Sequence, residues 1–191
     1  MMIINVAGFD PSLTHWGIAQ AQLDLTTGYL SVPKLTIIEP MELKGKQVRN
    51  NSNDLHKSEQ LSRAAFDAAE DAQAIFVEVP VGSQSARAMA SYGICVGIIS
   101  SLRAKGIPII EVTATEVKIA MTGNKNASKK QMIDRAFELY PQANWPWYKR
   151  KGETLMADKA EHVADAVGSI HAGVITPTFQ NLMLLLKRTA Q

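Results

Sequence analysis

The chain has 191 residues, 46% hydrophobic and 20% charged, with a formal net charge of +2. That length supports one full hydrophobic core and is short for two, so a single domain over residues 1–191 is expected. No apolar stretch reaches membrane-spanning length, YGICVGIISSL being too short and too mixed, and no basic segment precedes the first apolar run as in a secretory signal. The one cysteine, Cys95, excludes an intrachain disulfide and any cysteine-cluster metal site, and suits a reducing, cytoplasmic setting.

Residues 2–9 read as a buried strand, and DPSLTHWG turns sharply because Pro11 cannot continue a central ladder. WGIAQAQLDL alternates as a second strand, TTGYLSV turns into a third, and KLTIIEPM continues it or forms an edge. This is a β-meander rather than a βαβ opening. Residues 44–54 are polar and basic and read as a mobile surface loop. From Asp54, a fair N-cap, to Asp71, a helix carries Leu55, Leu61, Ala65 and Phe66 on one stripe.

AQAIFVEVP is a strand ended by Pro80, followed by the small-residue helix SARAMASYGICVGIISSLRAKG with Gly106 as its C-cap. IPIIEVT is a further strand, ATEVKIAMTG a short helix ending at Gly123, and SKKQMIDRAFELYP a helix capped by Ser128 and stopped by Pro141. QANWPWYKRKGET reads as irregular. ADKAEHVADAVGSIHAGVI is the last clear helix, broken by Pro177, and TFQNLMLLLKRTAQ reads as a terminal amphipathic helix that docks on this molecule or on a partner. The order predicts an α/β fold with a mixed sheet flanked by helices.

The net charge is too small to mark a nucleic-acid binder, but its distribution is uneven. Lys118, Lys125, Lys129 and Lys130 share an acid-free segment; Lys149, Arg150 and Lys151 form a second run; Lys44, Lys46 and Arg49 form a third. Such patches draw in a polyanion even when the total is balanced. Each run alone would read as a solvated loop. Arg87, in SQSARAMAS, joins the DNA-contact candidates.

Asp10 and Glu78 each end an apolar strand, where a carboxylate is rigidly held yet reaches the sheet edge. His162 and Asp165 lie three apart and so share one helical face. Carboxylates converging there repel one another unless a cation lies among them, and an acidic stripe on a helix that otherwise reads as buried has the same need. Taken singly, Asp10 could be a turn former ahead of Pro11, His162 a helix-face histidine and Asp165 a solvated acid. Together they predict a Mg²⁺ or Mn²⁺ site, whose commonest chemistry of this type is phosphodiester cleavage. Glu161 could replace His162 as ligand, orient its ring, or be solvated; Asp158 is one helical step before His162; Glu111 reads as a polar strand edge.

At this point the chain resembles a known group. INVAGFDPSLTHWGIA looks like the first strand motif of the RuvC-type Holliday junction resolvases of the ribonuclease-H-like superfamily. AIFVEVP looks like their second acidic strand and TEVKIAMTGNKNASKKQMI like their lysine-bearing segment. HVADAVGSIHAG looks like their closing helix, in the form with histidine three positions before the last carboxylate.

The resemblance implies a ribonuclease-H-like mixed sheet and a homodimer that nicks two strands of a four-way junction symmetrically, leaving 5′-phosphate and 3′-hydroxyl ends. It also implies two Mg²⁺ per subunit, with Mn²⁺ able to substitute because imidazole suits softer ions. Asp10, Glu78, His162 and Asp165 would be the catalytic and metal-binding set. Lys118 and Lys129 match the family's lysines near the scissile phosphate or junction backbone. Tyr92, or residues of SQSARAMAS, would lie near the crossover. The loop MELKGKQVRNNSNDLHK and the insertion YPQANWPWYKRKGETLM are longer than in the bacterial enzymes and resemble those of bacteriophage-encoded resolvases, which act on a wider range of branched DNA.

Three alternatives stand beside this reading. A ribonuclease-H-like nuclease acting on RNA–DNA hybrids or flaps would share the carboxylates. A junction-binding protein without catalysis would keep only the basic patches. An actin-like ATP-binding protein would need a second glycine-rich phosphate loop, which the chain lacks.

Overall fold

The structure, a computed structural model, describes residues 2–189, with side chains through Leu185. Strands β1 (Ile3–Asp10), β2 (Trp16–Asp24) and β3 (Lys34–Ile38) form the expected meander, with KLTII as the edge strand. Helix α1 (Asn50–Ala69) leads to β4 (Ala74–Glu78), α2 (Ala86–Ala104) and β5 (Ile109–Val112). Helices α3 (Ala114–Thr122) and α4 (Lys129–Leu139) follow, then β6 (Trp147–Arg150), β7 (Glu153–Met156), α5 (Ala160–Gly173) and α6 (Pro177–Thr189). The main sheet has the order β3-β2-β1-β4-β5, antiparallel across the meander and parallel from β1 through β4 to β5. The α/β mixed sheet predicted from the element order is the one observed.

Strand alternation divides the core in two. Ile4, Val6, Phe76, Ile110 and Val112 face α3, α4, α5 and α6. Ala7, Phe9, Ile75 and Val77 face α1 and α2, where Leu61, Cys95, Ile98 and Leu102 meet them. The same parity decides the strand ends: Asp10 follows Phe9 and Glu78 follows Val77, so both carboxylates project toward α5.

Helix α5 lies against the sheet at backbone distance. A Cβ on Gly8 would come within 2.0 Å of the Ala166 carbonyl oxygen, and one on Gly17 within 2.0 Å of that of His162. Only glycine permits this approach, which brings the start of α5 over the ends of β1 and β2.

Several expectations are corrected. Residues 50–54 are helical rather than loop, because α1 begins at Asn50 after Arg49. Asp54 is therefore no N-cap: it is a buried residue of α1 whose carboxylate takes both guanidinium nitrogens of Arg87. The buried stripe of α1 runs through Asp54, Lys57, Leu61 and Ala65, so Leu55 faces outward, 71% exposed, while Lys57 packs inward against Glu42. The loop before α1 is strapped down: Gln60 accepts from the Met41 amide and Asn53 from the Leu43 amide.

The stretch read as irregular contains the β6–β7 hairpin. Its loop residues Lys151 and Gly152 have φ of 50° and 86°, the double left-handed turn that matches strand twist. Asp158 lies before α5 rather than on it. Pro177 both ends the preceding segment and opens α6, where a missing N–H costs nothing. Helix α6 docks on its own chain through Phe179 and Met183, Phe179 meeting Phe76 edge-on at 5.0 Å. Residues 190–191, included in the terminal-helix expectation, lie outside the described residues.

Candidate active site

Asp10 and Glu78 become neighbours because β1 and β4 are paired in parallel, with Phe9 opposite Val77. His162 and Asp165 descend onto them from the first turns of α5. The Nδ1 of His162 lies 2.7 Å from Asp10 Oδ2. A carboxylate can only accept, so Nδ1 carries the proton and Nε2 is left for other partners. On that side Glu161 stands 3.7 Å away, and Lys129 holds the same carboxylate at 2.8 Å. Glu161 is thus not a lone solvated acid: its carboxylate stands between the imidazole and a lysine.

The electrostatics are those of crowded negative charge. Burial pushes the Glu78 carboxyl up to about 7; the Asp10 charge adds to the shift and Lys118 opposes it. Burial also pushes Asp165 up to about 7, helped by Asp10, Glu78 and Glu161 and opposed by His162. The His162 imidazole is raised above its ordinary value by its hydrogen bond to Asp10, against the effect of burial. Three carboxylates and an imidazole are hard-to-borderline donors, and a divalent cation would relieve their repulsion, so the donor set fits such an ion chemically. Among the described residues, however, no group of three or more His, Cys, Asp or Glu side chains is already gathered tightly enough to hold one.

The basic candidates separate. Lys118, on α3, reaches the site electrostatically through Glu78. Lys129 is bound to Glu161, and Lys130, next to it, pairs with Asp134 at 2.6 Å. Lys125 is exposed in the α3–α4 turn, and Lys149, Arg150 and Lys151 project on the β6–β7 hairpin. Lys44, Lys46 and Arg49 lie exposed on the strapped loop. Arg87 is committed to Asp54, and Glu111 faces away from the site in a pair with Arg103. Tyr92 is half-buried on α2; the apolar residue displayed beyond Glu78 is Val81, 91% exposed.

Two participants were not singled out in the sequence. His15 stacks on His162, with ring centroids 5.3 Å apart and planes within 2°, and its Nε2 lies 3.8 Å from Glu39. Glu39 also binds Lys159, which precedes α5. His15 sits in DPSLTHWG, five residues beyond Asp10, and its position in that turn was the available signal. Beside His162 opens a groove of about 1160 Å³ between α4, the start of α5 and the hairpin.

No family model and no curated relative matches the sequence. Solved structures do match. Thermus thermophilus RuvC superposes with a TM-score of 0.62 at 16% identity, covering 95% of this chain and 96% of that one. T. thermophilus RuvC in complex with a Holliday junction substrate gives 0.57 at 16% identity, over 88% and 92% of the two chains. Fowlpox virus resolvase in complex with Holliday junction DNA gives 0.53 at 14% identity, over 96% and 99%. At these identities the likeness is one of architecture: the chain has a RuvC-like, ribonuclease-H-like fold.

Proposed function

We propose that this protein is a divalent-metal-dependent, structure-selective endodeoxyribonuclease that resolves four-way junctions and other branched DNA, working as one domain per subunit of a homodimer. The observation that carries this reading is the convergence of Asp10, Glu78, His162 and Asp165 where α5 crosses the ends of β1 and β4, within a fold whose solved counterparts include two resolvases bound to Holliday junctions. On the resemblance of MELKGKQVRNNSNDLHK and YPQANWPWYKRKGETLM to segments of phage-encoded resolvases, the proposal extends to a broader range of branched substrates and to action in a host cytoplasm.

Asp10, Glu78 and Asp165, with His162, would hold Mg²⁺ or Mn²⁺, which would lower the pKa of the attacking water and offset charge on the leaving 3′-oxygen. Asp10 fixes the His162 ring by accepting from Nδ1, which keeps Nε2 turned toward Glu161 and the groove. His15, stacked parallel to the His162 imidazole, would limit the tilt of that ring. Lys118 brings positive charge beside Glu78, and Lys129 beside Glu161, where each can accompany a phosphate without reading a base.

The dimer proposal rests on α2. Its outward stripe of Met89, Ala90, Gly93, Val96 and Gly97 is exposed, and nothing lies within 4 Å of a Cβ added at either glycine. Such a surface suits close helix packing against a second copy, and a two-fold dimer matches a near-two-fold junction.

The direct test is a labelled synthetic four-way junction incubated with Mg²⁺, Mn²⁺ or chelator, wild type beside Asp10→Asn. Paired nicks that need the ion and vanish in the variant support the proposal. Nicking in chelator would overturn it, as would cleavage of RNA–DNA hybrids in preference to every branched DNA.

A further inference from the structure

The groove beside His162 has an unusual division of chemistry. Its ionic lining is balanced, Lys129, Lys130 and Lys159 against Asp134, Asp158 and Glu161. Between these lie apolar surfaces, Ile133, Leu155 and Met156, and one displayed aromatic ring, Tyr148, 42% exposed. The excess cations stand outside, at the hairpin end: Lys149, Arg150 and Lys151. A duplex arm gripped by its phosphates would need that excess along the walls. A balanced, partly apolar groove with a displayed aromatic suits nucleobases.

Resting on the nuclease reading above, we infer that this groove receives the bases of an unpaired DNA strand next to the cut, with a base stacked on Tyr148 and its phosphates led outward along the hairpin. The groove is continuous with the site, since His162, Glu161 and His15 form its inner end. Tyr148 lies on the opposite face of β6 from its neighbour Trp147, which packs edge-on against Phe137 at 5.7 Å. Strand alternation puts Arg150 on the same face as Tyr148, one step farther out. The tight Lys151–Gly152 turn then places a lysine, in a left-handed conformation that asparagine or glycine would adopt more easily, at the exposed tip. The substrate class implied is branched DNA with a single-stranded segment at the branch, such as a flap or an opened junction.

The test uses the whole protein in chelator, so that binding is read apart from cleavage. Anisotropy of a labelled oligothymidylate reports strand binding, and 2-aminopurine in a flap beside the branch point reports stacking by its quenching. Tyr148→Ala is expected to weaken the oligothymidylate about tenfold and abolish the quenching, whereas Tyr148→Phe retains both. Lys151→Asn, which keeps the turn, is expected to reduce the salt slope by about one phosphate contact with quenching intact. Binding of a fully paired junction by Tyr148→Ala should stay within about twofold of wild type. Equal strand binding by wild type and Tyr148→Ala, or equal losses in Tyr148→Phe and Tyr148→Ala, would overturn the groove assignment. Strand binding without nicking of any branched DNA would overturn the nuclease reading and leave the groove; nicking without strand binding would do the reverse.

Discussion

Asp10 and His162, 152 positions apart in the chain, are joined by a 2.7 Å hydrogen bond from Nδ1 to Oδ2. The bond makes one carboxylate serve both as a candidate metal ligand and as the group that orients the imidazole. Asp10→Asn is therefore expected to keep junction binding and to lose more nicking than the roughly 10–100-fold that follows loss of an orienting partner alone. His162 in that variant should titrate lower than in wild type, because the carboxylate charge that raises it is gone and a neutral amide oxygen is the weaker acceptor. Gel assays and imidazole proton shifts check the two halves. Near-wild-type nicking would remove Asp10 from the mechanism.

Stability of the chelated protein should fall as pH rises. Glu78 and Asp165 have ordinary values of 4.5 and 3.8 and are held at about 7 in the fold. Between those values the folded state binds more protons than the unfolded, so unfolding becomes easier with increasing pH. His162 acts in the same direction: its pairing stabilises fully below its unfolded value of 6.5 and is lost as pH passes its raised folded value. Buried His171, held below its ordinary value of 6.5, acts the other way below that value. With Glu78, Asp165 and His162 together opposing it, the thermal midpoint in chelator should be lower at pH 8 than at pH 5.5, and Mn²⁺ should raise it more at pH 8. Each kcal/mol moves the midpoint of a domain this size by about 2–4 °C. Asp165→Asn should flatten the profile.

Gly17→Ala is expected to destabilise by about 1–3 kcal/mol, the usual range for overpacking a tight contact. The added methyl would meet the His162 carbonyl at 2.0 Å, and relief requires α5 to retreat from β2. Nicking should fall with it, since His162 and Asp165 move with α5. A urea titration beside a junction assay measures both; an unchanged midpoint would mean that α5 does not sit this close.

Alanine at Lys118 or Lys129 should reduce the salt slope of junction affinity by about one contact if the lysine meets a phosphate in the ground state. Lys129 must first exchange Glu161 for that phosphate. Glu161→Gln should therefore strengthen binding at low salt, and Lys129→Ala should cancel the gain. Unchanged slopes with unchanged cleavage would leave both as ordinary surface lysines.

Gly97→Arg should yield a folded monomer. Nothing lies within 4 Å of the new Cβ, so the subunit is undisturbed, while the stripe on α2 gains a charge and bulk. Light scattering with and without junction DNA reads the outcome. A wild-type protein that is already monomeric on the junction would overturn the α2 interface.

What the chain determined locally is its element order and the residues at strand ends. Short, nearly continuous apolar runs placed Asp10 and Glu78 at strand ends, and helical spacing placed His162 and Asp165 together, because these patterns are written in neighbouring residues. Helix stops at Gly106 and Gly123 and the cap at Ser128 were legible for the same reason. The start of α1 was not, since Asp54 has the chemistry of a cap and only its burial against Arg87 shows otherwise. Nor was the β6–β7 hairpin, whose short exposed strands alternate weakly and whose Lys-Gly turn lacks the usual asparagine. The pairing of β1 with β4, the descent of α5 onto Gly8 and Gly17, the stacking of His15 on His162 and the groove beside Tyr148 came only from tertiary structure. Each depends on residues distant in the chain meeting across a packed interface, and no local pattern encodes that distance.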